Sequence, residues 1–562
     1  MLSRTARALV LAFLLGGAAG CEAAPSAPEP ATPATPTAEA PAPKVPAIPK
    51  LGQAAPEDVA RAAAEACVAK RTSAATRSRM LVWLSSIASP AGEPCYLQAL
   101  QEYQPGDQAS EADLRAASKA VAALKLVSAR GPLFEAFAKY HSSDPAAGGG
   151  YLEVGEAMTA VADPAWEPKL LTYLDRPVGP RNEAAWKDEM FWQLTAVEIL
   201  GKMRSAAAAR PLLRFMLTSA KQTVKPTATL AFVRIGKPAV EATTKLLRKQ
   251  DAELAAYGAA EAKGVSDPPG APTPVEVAAF VLGGIGRTES IGPMLEALAT
   301  ADPAERASIA CALLQLPADP RSLAAFRRTL ETMPLDAKLP GARAARARLA
   351  TCAAELFDPS VVPWLADDAR RLQGSEDLVQ AVRVAEFVTM LKVARPDQKK
   401  HLDAVAKLGK QVYPLGDEFK VAYSTVTGLF AACGDRVDCW VEKLTDPAAQ
   451  SSEKDFRWVD KLTDSAAQLS AKQFQVIKAA YMVAELDGAD AKQKLLAALP
   501  KLADPMAVFV VSKAIDRLSP QGDTAAAAAL QTMIDAAADD QERRRVLTTL
   551  AVIVGRLQAR VP

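Results

Sequence analysis

The chain has 562 residues, 50% hydrophobic but only 6% aromatic, with a formal net charge of +2. That length suits several domains or one long repeat array, and that charge gives no global pull toward a polyanion. Only two histidines exist, His141 and His401, which argues against a His-rich metal site within one chain.

The chain opens MLSRTARALVLAFLLGGAAGCEAAP. Arg4 and Arg7 precede an apolar run, Ala8 to Leu15, too short to span a bilayer but flanked like a secretion signal. Small residues then lead into Ala18-Ala19-Gly20-Cys21. This ending resembles a bacterial lipoprotein signal, although Ala18 stands where leucine is commoner. The resemblance implies a signal peptide over 1–20, cleavage before Cys21, and lipidation of its thiol and new amino group. Glu22 in place of aspartate implies the outer membrane of a Gram-negative cell, facing the periplasm. Residues 21–56 carry a proline every few positions and almost no large apolar side chain before Val45. Such a stretch cannot bury a core and favours the extended polyproline II form, so a disordered tether on the order of 100 Å is expected.

From Pro56 onward the apolar residues recur with helical spacing, and alternating β-branched runs are not evident. Alanine and leucine dominate, a bias that suits helices packed closely on one another. Residues 57–157 predict a helical region of irregular units, and 158–371 show the repeat best. An apolar helix there meets a turn at Gly201, Gly236 or Gly286, or at Asp163-Pro164 or Asp358-Pro359, and a second apolar helix follows. Aspartate can cap a helix start while proline takes a first-turn position whose N–H would be unpaired anyway. Pro168, Pro211, Pro293 and Pro363 each stand two positions before a leucine (Leu170, Leu213, Leu295, Leu365). Their spacing corresponds to units of roughly 35 to 43 residues. This helix–turn–helix period resembles the HEAT repeat, above all the short type also seen in bilin-lyase-like proteins. The resemblance implies an all-α solenoid of stacked hairpins. The pattern continues more loosely over 372–562, where the last helix, with Val546, Leu547, Leu550, Ile553 and Val554 on one side, is expected to cap the array.

The glycines of VLGGIGRTESIGPMLEAL (281–298) could suggest a phosphate cradle. A cradle must follow a strand and open a helix, whereas Gly283, Gly284 and Gly286 end one, so a bend is expected. No cofactor and no metal site is expected. His141 and His401 are read as surface residues rather than members of a dyad. A lyase activity is not implied, because the repeat is a scaffold shared by many non-enzymes.

Export makes disulfides a reading for Cys311 with Cys352, in two similar helices, and for Cys433 with Cys439, across a turn. Cys67 and Cys95 are left between disulfide and buried free thiols. Lys202 to Lys249 holds eleven bases and one acid, Glu241. Arg204, Arg210, Arg214, Lys221, Lys225, Arg234, Lys245 and Arg248 are therefore candidates for a binding patch. The alternative is that they pair with acids of neighbouring units. The insertion at 250–276 is a second candidate surface, with Tyr257 as its aromatic anchor. Together these features predict a non-enzymatic, membrane-anchored scaffold that binds other envelope proteins, and no nucleic acid. The basic units could instead serve an anionic ligand, an acidic protein or an acidic envelope polymer.

Overall fold

The computed structural model describes residues 46–561 apart from 55, 71, 181–182, 264–271, 334–341, 373–376, 409–416, 450–470, 487–489 and 537–540. The signal sequence, Cys21 and residues 22–45 of the proline-rich tether lie outside the described residues.

Among the described residues the regular elements are twenty-seven α-helices with short 3-10 turns between them, and no strand. The first nine are α1 (Glu57–Val68), α2 (Ala74–Ser86), α3 (Glu93–Gln101), α4 (Gln108–Leu124), α5 (Arg130–Lys139), α6 (Tyr151–Ala160), α7 (Glu167–Asp175), α8 (Ala184–Lys202) and α9 (Ala209–Leu217). The middle of the chain forms α10 (Lys225–Ile235), α11 (Lys237–Leu247), α12 (Ala252–Lys263), α13 (Pro274–Ile285), α14 (Ile291–Thr300), α15 (Pro303–Leu314), α16 (Pro320–Thr332), α17 (Ala342–Cys352), α18 (Val362–Arg371) and α19 (Asp377–Val393). It ends with α20 (Lys399–Ala406), α21 (Asp417–Cys433), α22 (Val437–Thr445), α23 (Ala471–Leu486), α24 (Ala491–Ala498), α25 (Pro505–Arg517), α26 (Thr524–Ala536) and α27 (Gln541–Ala559).

The turns follow from local chemistry. Asp163 and Asp358 each accept a hydrogen bond from the backbone N–H two residues on, with proline between, and start a 3-10 turn that runs into α7 and α18. Asp144 and Asp319 accept from the N–H two residues on, across Pro145 and Pro320, whereas Asp302 accepts from Glu305 N–H, three residues on, across Pro303. The prolines at 168, 211, 293 and 363 all sit in the first turn of a helix, where a missing N–H is harmless. Leu170, Leu213 and Leu365, two residues later, are fully buried. Leu295, after Pro293, is half-buried.

Three glycines expected at turns serve another purpose. Gly201 lies inside α8, where a Cβ would stand 2.6 Å from the Ala231 Cα of α10. Gly283 and Gly284 lie inside α13, against Ala312 of α15 and Thr229 of α10. They are close-approach positions, at which a side chain would push neighbouring inner helices apart. Gly286 alone makes the bend of the 281–298 stretch: it is left-handed, at φ +70°, and its N–H bonds Leu282 O.

Neighbours stack in chain order. Helices α2, α4, α6, α8 and α10 pack one upon the next, with α3, α5, α7 and α9 along their other side. The inner succession continues through α10, α13, α15, α17, α19, α23 and α25 to α27, and α27 then packs on α10. The solenoid-like array thus returns upon itself. Where the sequence predicts a cap on a free end, Gly555 of α27 rests against Leu230 and Val233 of α10. The second half of the chain closes because α27 is apolar toward α10 and toward α25 and α26. Residues Val45–Pro562 form a single compact unit.

Candidate functional site

The cysteines pair by stacking. Cys311 of α15 bonds Cys352 of α17, with Cα atoms 5.6 Å apart, and so staples two consecutive inner helices. Cys433 and Cys439 close the turn between α21 and α22, at 5.4 Å. Cys67 of α1 bonds Cys95 of α3, at 5.8 Å.

The candidate basic residues do not converge. Arg210 on α9 makes a two-point contact with Asp251, at 2.8 and 3.1 Å, and reaches Glu253 at 2.8 Å. Arg214 stands 3.7 Å from Asp175 and lies over the Tyr257 ring. Arg248 bonds Glu296 at 2.5 Å, and Lys249 approaches Glu305 at 3.6 Å. All these acids lie outside 202–249, so neighbouring units supply the charge that the segment lacks. Lys245 faces the field of Asp251 as well. Lys221 is buried and donates to Leu174 O and Arg176 O, both at 2.9 Å. Arg204 and Arg234 are exposed near the ends of α8 and α10, and the Lys225 side chain falls outside the described residues. Lys202 donates to Ala160 O at the end of α6, and burial and then the nearby Arg234 and Lys125 push its ammonium down.

The 250–276 insertion is not a projecting loop in its first half. Helix α12 lies against α9, with Tyr257 Oη 2.9 Å from Thr218 Oγ1 and Glu261 accepting from Ser219. Residues 264–271 lie outside the described residues.

His141 sits beside two serines and an aspartate, an inventory that invites a triad. Yet His141 Nδ1, Ser142 Oγ and Ser143 Oγ all bond the one carboxylate of Asp188, at 3.0, 3.2 and 2.9 Å. A catalytic histidine must stand between nucleophile and carboxylate. Here the carboxylate is the hub, and it fastens the loop after α5 to α8. His401 lies in α20.

A feature missed by sequence reasoning recurs along the array. The last carbonyls of a helix have no partner within it and carry the negative end of the macrodipole. In unit after unit a base from another segment fills that role. Arg130 donates to Val161 O and Ala162 O beyond α6. Arg346 of α17 serves Leu330 O and Met333 O beside the end of α16. Arg383 of α19 reaches Ala369 O and Leu372 O at α18, and Lys478 of α23 reaches Lys392 O and Ala394 O at α19. Arg556 of α27 ties Gly283 O of α13 and Gln315 O at the end of α15. Burial pushes the Lys478 ammonium down to about 7 and that of Lys221 down to about 8.

Where α10, α13, α15, α25 and α27 meet lies a cavity of about 260 Å³. Its apolar wall includes Phe280, Phe357, Phe509 and Ile553, with Phe280 exposed at the rim. Its polar side carries four bases, Lys513, Arg517, Arg556 and Arg560, against two carboxylates, Glu355 and Asp516. Asp516 lies 3.1 Å from Arg556 and 3.0 Å from Arg560, and Lys513 bonds Glu355 at 2.5 Å. Arg517 makes no ion pair with any described residue; burial depresses it, and Asp358 and Glu355 act on it only through space. The sequence held one faint signal: Arg556 and Arg560 stand four residues apart at the end of the helix expected to cap the array. Compared with known proteins, no family model and no curated sequence matches this chain.

Proposed function

We propose that the chain is a lipid-anchored, non-enzymatic helical-repeat scaffold of the bacterial envelope, binding other envelope proteins through the outward faces of its stacked HEAT-like hairpins. The use of its interior charges supports this reading. Lys221, Arg346, Arg383 and Lys478 enter the body to hold helix ends, and Asp188 holds a loop. Groups of the kind that do acid–base chemistry are thereby committed to rigidity, which suits a platform for docking. The basic units are not its docking site in this proposal, because Arg210, Arg214 and Arg248 already face carboxylates. The Pro/Ala-rich 21–56 would hold the body away from the membrane, and Cys21 would carry the lipid.

The test is made in a Gram-negative host. Wild-type chain should fractionate with outer membranes, and Cys21→Ser should move the body to the soluble periplasmic extract. Crosslinking in cells should then recover the same envelope proteins with wild type and with Arg210→Glu/Arg214→Glu. Continued membrane association of Cys21→Ser would refute the anchor. Recovery of no envelope protein at low or high salt would refute the scaffold.

A further inference from the structure

The cavity at the closure of the array has the chemistry of a ligand site, and no structural need explains all of it. Two of its four bases share the single carboxylate of Asp516, and a third pairs with Glu355. Arg517 is left over. Arg517 is half-buried beside the cavity, and its guanidinium, with no carboxylate in contact among the described residues, is free to meet an anion there. Arg556 adds to the imbalance, since it is itself 7% exposed and its Nε has no acceptor; the buried Nε of Arg560 has none either.

The opposite wall is apolar. Phe280, Phe357, Phe509 and Ile553 could shed water onto a hydrocarbon body but could not hold an inorganic ion. The volume, about 260 Å³, lies just below the ~300–1,000 Å³ usual for small-molecule sites. It is too small for a protein segment and too large for one ion. Helices α13 and α15 bring their C-terminal, carbonyl-bearing ends toward it, while α10 enters with first-turn Pro226, which has no N–H to offer. A guanidinium fork fits an oxyanion in two-point fashion.

We propose that this cavity binds an amphiphilic anion of medium length, with its carboxylate or phosphate head at Arg517 and its apolar chain against Phe280, Phe357 and Phe509. Binding there bridges α13, α25 and the loop after α17. This goes beyond the scaffold reading and does not depend on it.

Calorimetric titration of the full chain carrying Cys21→Ser, so that no acyl group at position 21 competes, tests the proposal. Decanoate and decyl phosphate are the probes, with decanol and inorganic phosphate as the head-less and tail-less controls. One equivalent of decanoate or decyl phosphate should bind below ~1 mM, and each control at least about tenfold more weakly, near 1.4 kcal/mol. Arg517→Met should lose about tenfold in affinity while keeping the helical circular dichroism, since the residue forms no ion pair with any described residue. If that variant misfolds, Val552→Trp fills the space from α27 and should abolish binding. Decanol binding as well as decanoate, uptake of many equivalents, no binding by either probe, or unchanged affinity in a folded Arg517→Met or Val552→Trp protein would each overturn the site.

Discussion

The interior lysines show how one side chain serves a fold. Lys221 sits at 4% exposure with both acceptors at the end of α7, so truncation takes this donor from Leu174 O and leaves Arg176 O with only the Gln193 amide. Charge-assisted hydrogen bonds contribute about 1.5–3 kcal/mol each, and an unmet buried group costs a comparable amount. Lys221→Ala should therefore lower the unfolding free energy by about 2–4 kcal/mol in urea titration. A loss under ~0.5 kcal/mol would mean that water serves those carbonyls equally well. Lys478 gives a pH dependence with a definite sign. Its folded form sheds the proton near 7, whereas the unfolded chain keeps it to about 10.4. Between these values the unfolded state binds more protons, so stability rises with pH. Glu485, raised by burial to about 8, acts the other way, favouring the fold at low pH and losing that effect as pH rises through 8. From pH 8 to 10 the lysine dependence stands alone among this pair. Denaturation midpoints should climb over that window at a slope on the order of 1 kcal/mol per pH unit, and Lys478→Met should reduce it. Lys221 has the same sign, so the slope in that variant falls without vanishing.

Between elements, glycine decides how closely inner helices approach. Replacing a mid-helix glycine by alanine ordinarily stabilises by about 0.5–1 kcal/mol. At Gly428 in α21 a Cβ meets nothing within 4 Å, and Gly428→Ala should show that gain in thermal unfolding. At Gly201 the new Cβ would lie 2.6 Å from the Ala231 Cα, a backbone atom that no rotamer change can remove. Overpacking of this kind costs about 1–3 kcal/mol and should outweigh the propensity gain, so Gly201→Ala should destabilise. Equal signs for the two variants would show that α8 and α10 have slack that the structure denies. This pair also marks the limit of sequence reading. Both glycines lie in apolar helical runs, and spacing alone assigned Gly201 to a turn, since only the neighbouring helix separates the two cases. The Asp-Pro starts at 163 and 358 were legible because capping is decided within four residues.

Across the whole molecule, α27 is the closing element. Its removal, by ending the chain at 540, should uncover Leu230 and Val233 of α10 and the end of α13. Hydrogen exchange should then accelerate in α10, α13 and α25 while α1–α6, distant in the stack, keep their protection. Unchanged exchange in α10 would show that closure adds nothing to its stability.

The sequence by itself determined the helices, their Asp-Pro and first-turn proline starts, and their stacking as paired hairpins. Each of these rests on interactions within a few residues or on a period, and a period survives without knowledge of the partner. Charge was legible only as composition. Eleven bases crowd into 202–249, but whether they form a surface depends on Asp175, Asp251, Glu296 and Glu305, which only stacking brings opposite them. The tertiary structure alone decided which lysines turn inward to helix ends, that α27 returns to α10, and hence that a cavity exists at all. Those outcomes join residues as much as 273 positions apart, and no local periodicity carries information over that separation.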